Sequence, residues 1–308
     1  MILTITLNPA ADKTYTTGSL MLGQVNRMRT VHNIAGGKGI NVAKILRQYG
    51  YSVAACGFLG GYTGQFIENC LQEIQAECRF TKVAGDTRCS INVIAEDGYV
   101  TEILEPGPVV SAQELEQFMK DYREAVDKSD LIVMAGSVAK GVPADIYGKL
   151  IAIGNEAGKR CILDTSGEAL LHGMEAGPFM IKPNQKELEY VTGHRLKDIR
   201  EVQEAAQQLR ERGIAHVLVS MGKKGLLSVS GEGTLWAKSP SVKAVNTVGC
   251  GDSVVASYAM SVLKGEDVCT ALKRAAAISA ANAASLESGD ISLELAEELL
   301  EKIQIEKR

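Results

Sequence analysis

The chain has 308 residues, 45% of them hydrophobic, and carries 33 Lys and Arg against 37 Asp and Glu, a net charge of -4. That length and apolar content suffice for one large core, and the mildly acidic balance excludes the broad basic surface that a nucleic acid or an anionic membrane would require. The seven cysteines form an odd, scattered set without a Cys-x-x-Cys pair, which excludes a zinc ribbon or a disulfide framework and reads as reduced thiols in a cytoplasm.

Met1 to Leu7 is short, apolar and β-branched and is closed by Asn8-Pro9. It is predicted as a buried strand, since it lacks the basic start and cleavage region of a signal peptide. Asp12 lies just past its carboxyl end, where α/β sheets bind ligands, although Asp is also an ordinary turn residue. Residues 14 to 34 read as extended chain with Arg27 and Arg29 on one side. The turn Ala35-Gly36-Gly37-Lys38-Gly39 then opens an amphipathic helix that carries Asn41 and ends near Gly50. It fits neither Gly-x-x-x-x-Gly-Lys-Ser/Thr nor Gly-x-Gly-x-x-Gly.

Val53 to Leu59 is a second predicted strand, and Thr63 to Glu77 a helix with Phe66, Ile67, Cys70, Leu71 and Ile74 inward. Cys89 to Glu96 and Tyr99 to Glu105 alternate on either side of Asp97-Gly98, a hairpin signal, with Arg88 at its start. Segments of about 12–34 and 86–106 are therefore expected to form a small separate sheet. Ser111 and Glu114 make a capping box for a helix through Lys128.

From there strands at 130–136, 160–165, 178–182 and 215–221 alternate with helices at about 144–157, 167–175 and 184–212. That alternation predicts a mostly parallel sheet covered on both faces. Ser137 follows the first of these strands. Lys182-Pro183-Asn184 follows the third, and Asn184 with Glu187 also spells a helix cap. Ser220-Met221-Gly222-Lys223-Lys224-Gly225 ends the fourth, and a hairpin containing Trp236 comes next. No apolar run reaches the roughly 20 residues of a membrane helix, and nothing divides the chain, so 1–308 reads as one domain.

Asn246-Thr247-Val248-Gly249-Cys250-Gly251-Asp252-Ser253 leads into the apolar run Val254 to Met260. Two glycines one residue apart make a tight loop opening straight into a buried helix. The unpartnered amides of Gly249, Cys250 and Gly251, with the helix dipole, form a site for an anion. Asp252, in the same turn, is expected to stay ionised and to accept a proton from a hydroxyl. A plain glycine turn complemented by an acid would look the same. Cys250 sits where a helix end would lower a thiol pKa, while an inert, packed thiol is the plainer reading. Helices at 267–285, with Asn282, and 292–304 are predicted to end the chain.

The loop at 247–252 resembles the C-terminal motif of the PfkB (ribokinase-like) carbohydrate kinases, Thr-x-Gly-Ala-Gly-Asp, with Cys250 in place of alanine. Gly36-Gly37-Lys38-Gly39-Ile40-Asn41 resembles the N-terminal motif, about 200 residues earlier and in the right order. The resemblance covers essentially the whole chain. It implies an α/β three-layer sandwich with a mostly parallel central sheet and a small β-sheet lid. It also implies ATP and Mg2+, a sugar acceptor, and a possible homodimer through the lid. On this basis Asp252 is the base, and Gly249, Cys250 and Gly251 hold the developing charge. Asp12, Gly36, Gly37 and Asn41 bind the sugar, and Arg27, Lys38, Arg88 and Ser137 hold a phosphate already present. Lys182, Asn184, Glu187, Ser220, Gly222, Gly225 and Asn282 serve the nucleotide, with Asn184 and Glu187 reaching magnesium through water. Leu7 to Asp12, Lys38, Thr87-Arg88 and Thr101 to Pro108 resemble the phosphosugar branch. Members of that branch convert fructose 1-phosphate or tagatose 6-phosphate to the 1,6-bisphosphate. Gly39 to Val42 and Ile91-Asn92-Val93 favour fructose 1-phosphate, with a kinase for a free sugar or nucleoside the remaining alternative.

Overall fold

The computed structural model describes residues 1–308. β1 (Ile2–Thr6) is buried on both faces: Leu3 and Ile5 join one apolar cluster and Ile2 another, the pattern of a strand inside a sheet covered on both sides. β2 (Ala10–Thr17) and β3 (Thr30–Gly36) supply the expected extended chain, and α1 (Lys38–Gln48) follows. β4 (Val53–Leu59) is as predicted. α2 (Gly61–Glu73) ends four residues early, because Gln75 takes a positive φ of 59° and turns the chain into β5 (Glu77–Lys82), a strand not foreseen.

β6 (Arg88–Ala95) and β7 (Val100–Leu104) form the expected hairpin, and α3 (Ala112–Asp127) begins at the reciprocal Ser111 and Glu114 cap. β8 (Leu131–Ala135), α4 (Ile146–Glu156), β9 (Arg160–Asp164), α5 (Gly167–Glu175) and β10 (Met180–Ile181) keep the predicted alternation. The helix expected over 184–212 is two. Gly193, left-handed at φ 76°, ends α6 (Gln185–Thr192), and Asp198 starts α7 (Ile199–Glu211) by accepting from the amides of Arg200 and Glu201. β11 (His216–Ser220), β12 (Leu226–Ser230) and β13 (Gly233–Ala237) precede α8 (Cys250–Lys264), α9 (Val268–Ala284) and α10 (Leu293–Leu300). β14 (Ile305–Lys307) is a second unforeseen strand, too short to show alternation, which covers the edge of β13.

The large sheet runs β14-β13-β12-β11-β10-β9-β8-β1-β4-β5. It is parallel from β5 to β11 and antiparallel beyond. Helices α3 to α7 cover one face around Phe118, Tyr147 and Leu209. On the other, α1, α8, α9 and α10 pack around Val42, Tyr258 and Leu272. The small sheet, β3-β2-β6-β7, is separate. This is the three-layer α/β arrangement with a second small sheet that the resemblance implies. No helix is long and apolar enough to cross a membrane, and all seven cysteines are free thiols.

From β1 the chain proceeds outward to β4 and β5, and from β8 it proceeds the other way. The connections leaving β1 and β8 therefore diverge, and a crevice opens at the carboxyl ends of the strands, the usual ligand position in such sheets.

Candidate active site

Four elements bring charge to that crevice. β9 ends on Asp164, Lys182 follows β10, and α1 and α8 both begin there, with Lys38 and Cys250 as first residues. Asp252, buried in the first turn of α8, accepts from Asn41 Nδ2 at 2.8 Å across 211 residues of chain. Asp164 has a fully buried side chain, and its Oδ1 faces both Lys38 Nζ at 3.1 Å and Lys182 Nζ at 3.3 Å.

Burial, and next the nearby Asp164 charge, push the Asp252 carboxyl up to about 6, against the opposing pull of Asn41, Lys38 and Lys182. The expectation that the helix start holds this acid firmly ionised is thus corrected: desolvation outweighs the dipole. At neutral pH Asp252 is still mostly the anion, yet basic enough to take a proton. Burial also disfavours the Asp164 anion, but Lys182 and Lys38 outweigh it and hold that carboxyl below its usual range. Burial pulls Lys38 down, and Asp164, Asp252 and Glu187 more than compensate, so its ammonium is held above the ordinary lysine range.

Gly249 is left-handed at φ 82°, and a Cβ there would lie 2.9 Å from the Cβ of Ser288, so the loop demands glycine twice over. Gly251 faces the Lys182 ammonium, 3.3 Å from where its Cβ would be. Ser253 N already donates to Gly249 O at 2.8 Å and Cys250 N makes a long 3.4 Å bond to Thr247 O. The amides of Gly251 and Asp252 are those a helix start leaves for an anion. The Cys250 thiol is raised by burial, not lowered by the helix end. That corrects the expected direction and agrees with an inert thiol.

At the N-terminal motif the glycines have a packing duty. A Cβ on Gly39 would lie 2.4 Å from Thr6 Oγ1 and 2.6 Å from Ile5 O, and one on Gly37 would lie 2.9 Å from Thr6 Cγ2. Their bareness seats α1 on β1. Gly36 is bare for Asp12, whose Oδ2 comes within 2.0 Å of a Cβ placed there. Burial raises Asp12 to about 6, opposed by Lys44 and Arg88. Arg88 Nε donates to Asn8 O at 3.3 Å, and Asn8 Nδ2 donates to Ser137 Oγ at 3.4 Å, so Asp12, Arg88 and Ser137 form one cluster. Arg27 lies exposed between β2 and β3 and joins none of these contacts.

Asn184 and Glu187 make the reciprocal cap of α6: Glu187 N donates to Asn184 Oδ1 at 2.9 Å and Asn184 N to Glu187 Oε2 at 2.8 Å. Asn184 also bridges to Ser220 beside it. Gly222, at φ 56°, has open space where a Cβ would go, whereas a Cβ on Gly225 would lie 1.9 Å from Ala237 O. The fold itself therefore demands glycine at 225. Asn282 is fully buried. It donates to Val248 O at 2.8 Å and accepts from Gly289 N at 3.0 Å, so its amide braces the anion loop.

Two residues of this site escaped the sequence reading. Asp164 had a signal, an acid at the carboxyl end of a predicted strand, the same logic that singled out Asp12. Asn8 was read only as part of a turn.

The pfkB family carbohydrate kinase profile matches residues 2–294. The chain is 36% identical over 305 residues to the 1-phosphofructokinase of Bacillus subtilis strain 168, covering 99% of each chain. Its fold superposes with a TM-score of 0.91 on phosphofructokinase-2 from Escherichia coli, at 28% identity and 98% of each chain. A possible 1-phosphofructokinase from Thermotoga maritima also gives 0.91, at 26% identity, over 100% of this chain and 99% of that one. The chain belongs to the pfkB family of carbohydrate kinases.

Proposed function

We propose that the protein transfers the γ-phosphoryl group of ATP to the free primary hydroxyl of fructose 1-phosphate, giving fructose 1,6-bisphosphate. The observation that carries this is Asp252: a buried carboxylate raised to about 6, held by Asn41, in the turn whose amides face the crevice. Phosphoryl transfer asks the protein for positioning, charge neutralisation and a place for the hydroxyl proton. Asp252 takes that proton, and the amides at Gly251 and Asp252 receive the negative charge that builds on the transferred group. Asp12 accepts from sugar hydroxyls, while Arg88, Ser137 and Lys38 face the phosphate already on the substrate. The Bacillus subtilis relative is a 1-phosphofructokinase, which favours fructose 1-phosphate over the tagatose isomer.

Magnesium fits as an ion carried mainly by ATP. The molecule has no cluster of three or more His, Cys, Asp or Glu for a metal, and the α6 cap uses Glu187 Oε2 but not Oε1. Glu187 and Asn184 would hold the ion through water, in keeping with its preference for retained waters. When bound, it neutralises the phosphates and orients them. We place the nucleotide along Lys182, Ser220 and Gly222.

The small sheet is read as a lid, contributed by residues of about 12–34 and 86–106. Val31 on edge strand β3, and Val100, Ile103 and Leu104 on edge strand β7, are exposed apolar residues. Pairing of two lids would cover both edges, and light scattering should report a dimer.

The deciding experiment is a coupled ATP-consumption assay with fructose 1-phosphate, tagatose 6-phosphate, fructose 6-phosphate and free fructose in parallel. The proposal expects the highest kcat/KM with fructose 1-phosphate; a preference for free fructose overturns the phosphate roles. Arg88→Ala is expected to raise KM for the phosphosugar tenfold or more, as loss of a charged hydrogen bond implies, with kcat changed less than about threefold. An unchanged KM would take Arg88 out of the site.

A further inference from the structure

Asp164 has the geometry of a part with a purpose beyond folding. Its side chain is wholly buried, yet it caps no helix, and its Oδ2 has no partner. Thr165 beside it makes its own bond to Gly136 O at 2.8 Å. Burying a carboxylate and a lysine together seldom gains stability over apolar packing, and here one carboxylate oxygen serves two lysines. They come from different elements. Lys38 opens α1, one turn before Asn41, and Lys182 lies against Gly251 of the anion loop.

We propose that Asp164 is a positioning residue: one buried carboxylate oxygen tethers Lys38 on the acceptor side and Lys182 on the donor side, fixing the separation across which the phosphoryl group travels. The proposal rests on the kinase reading above. Each ammonium has three donors and gives one to Asp164, so two remain on each lysine for phosphate oxygens. The tether decides where those donors point. A second consequence follows from charge. Asp252 is faced by Lys38 and Asn41 from α1, by Asp164 from β9 and by Lys182 after β10. Removing the Asp164 charge leaves the two lysines to favour the Asp252 anion.

In Asp164→Asn Lys182 is freed to grip ATP and Lys38 the acceptor without the two being aligned, so kcat should fall thirtyfold or more while KM for ATP stays level or drops. The acid limb of the kcat profile should move down by half a pH unit or more. Asp164→Glu keeps the charge and should keep the limb within about 0.2 unit of wild type while kcat stays lowered. A purely structural role predicts instead a raised KM and an unmoved limb, and either result overturns the tether, as does kcat within threefold of wild type. An activity-independent readout is acetylation of Lys38 by acetic anhydride at pH 8, followed by peptide mass spectrometry. It should quicken at least fivefold in Asp164→Asn and return toward wild type in Asp164→Glu; an unchanged rate overturns the tether. If wild type turns over no phosphosugar but Lys38 is deprotected as expected, the substrate reading fails and the tether stands. Should Asp164→Asn fail to fold, Asp164→Asn with Lys182→Met removes one unpaired buried charge, and its Lys38 rate is judged by the same limit.

Discussion

Asp252→Asn is expected to lower kcat by two or more orders of magnitude and to leave KM for both substrates within about threefold. The amide preserves the shape of the turn but cannot accept the proton. In wild type the limb that this residue controls should lie near pH 6, since Asp252 is raised to about that value. The sign follows from the role: the base must be unprotonated, so activity is full above the limb and falls about tenfold per unit below it. Steady-state kinetics of wild type between pH 5 and 8, with the variant measured at pH 8, tests both statements. A variant with near-normal turnover would remove Asp252 from the chemistry, and a wild-type limb near pH 4 would show that the buried carboxyl is solvated more than its surroundings imply.

Gly39→Ala should be the costliest small change in the N-terminal motif. Gly39 lies in the first turn of α1, where alanine alone would help by at most about 1 kcal/mol, the value for a helix interior. The added Cβ, however, meets the Ile5 carbonyl and the Thr6 hydroxyl at 2.6 and 2.4 Å, and the carbonyl cannot move without shifting β1, the strand at the centre of the crevice. Overpacking of this kind costs roughly 1–3 kcal/mol or more. A net loss of about 2 kcal/mol, or about 3 °C in Tm for a chain of this length, is expected. Because α1 also carries Lys38 and Asn41, turnover should fall along with stability. Calorimetry giving an unchanged or higher Tm would mean that α1 slides on β1 without penalty.

Gly36→Ala is the informative contrast. There the atoms nearest the added methyl are those of the Asp12 carboxylate, a short side chain that can rotate away. Two glycines three residues apart thus serve different ends. One keeps the helix on the sheet, and the other leaves room for a candidate ligand group. The sequence shows them as the same kind of residue in one motif.

Features resting on neighbours in the chain were legible in the sequence. The two reciprocal caps, at Ser111 with Glu114 and at Asn184 with Glu187, depend on a few consecutive residues, as does the Gly249-Cys250-Gly251 turn into α8. The alternation of buried strands and covering helices was legible for the same reason, because backbone geometry and apolar periodicity are local. It failed where a local break was overlooked, at Gln75 and Gly193, and where β14 was too short to show a period.

Only the tertiary structure decided the charges and their partners. Asn41 finds Asp252 across 211 residues, and Lys38 finds Asp164 across 126. The upward direction of Asp252, the bracing bonds of Asn282 and the packing duties of Gly37, Gly39 and Gly225 follow from such meetings. The physical reason is that desolvation and electrostatics sum over every group within several ångströms. Which groups those are is settled by the stacking of strand ends and helix starts, so the chain itself determined a turn able to receive an anion, and the fold determined the acid strength of the carboxyl within it.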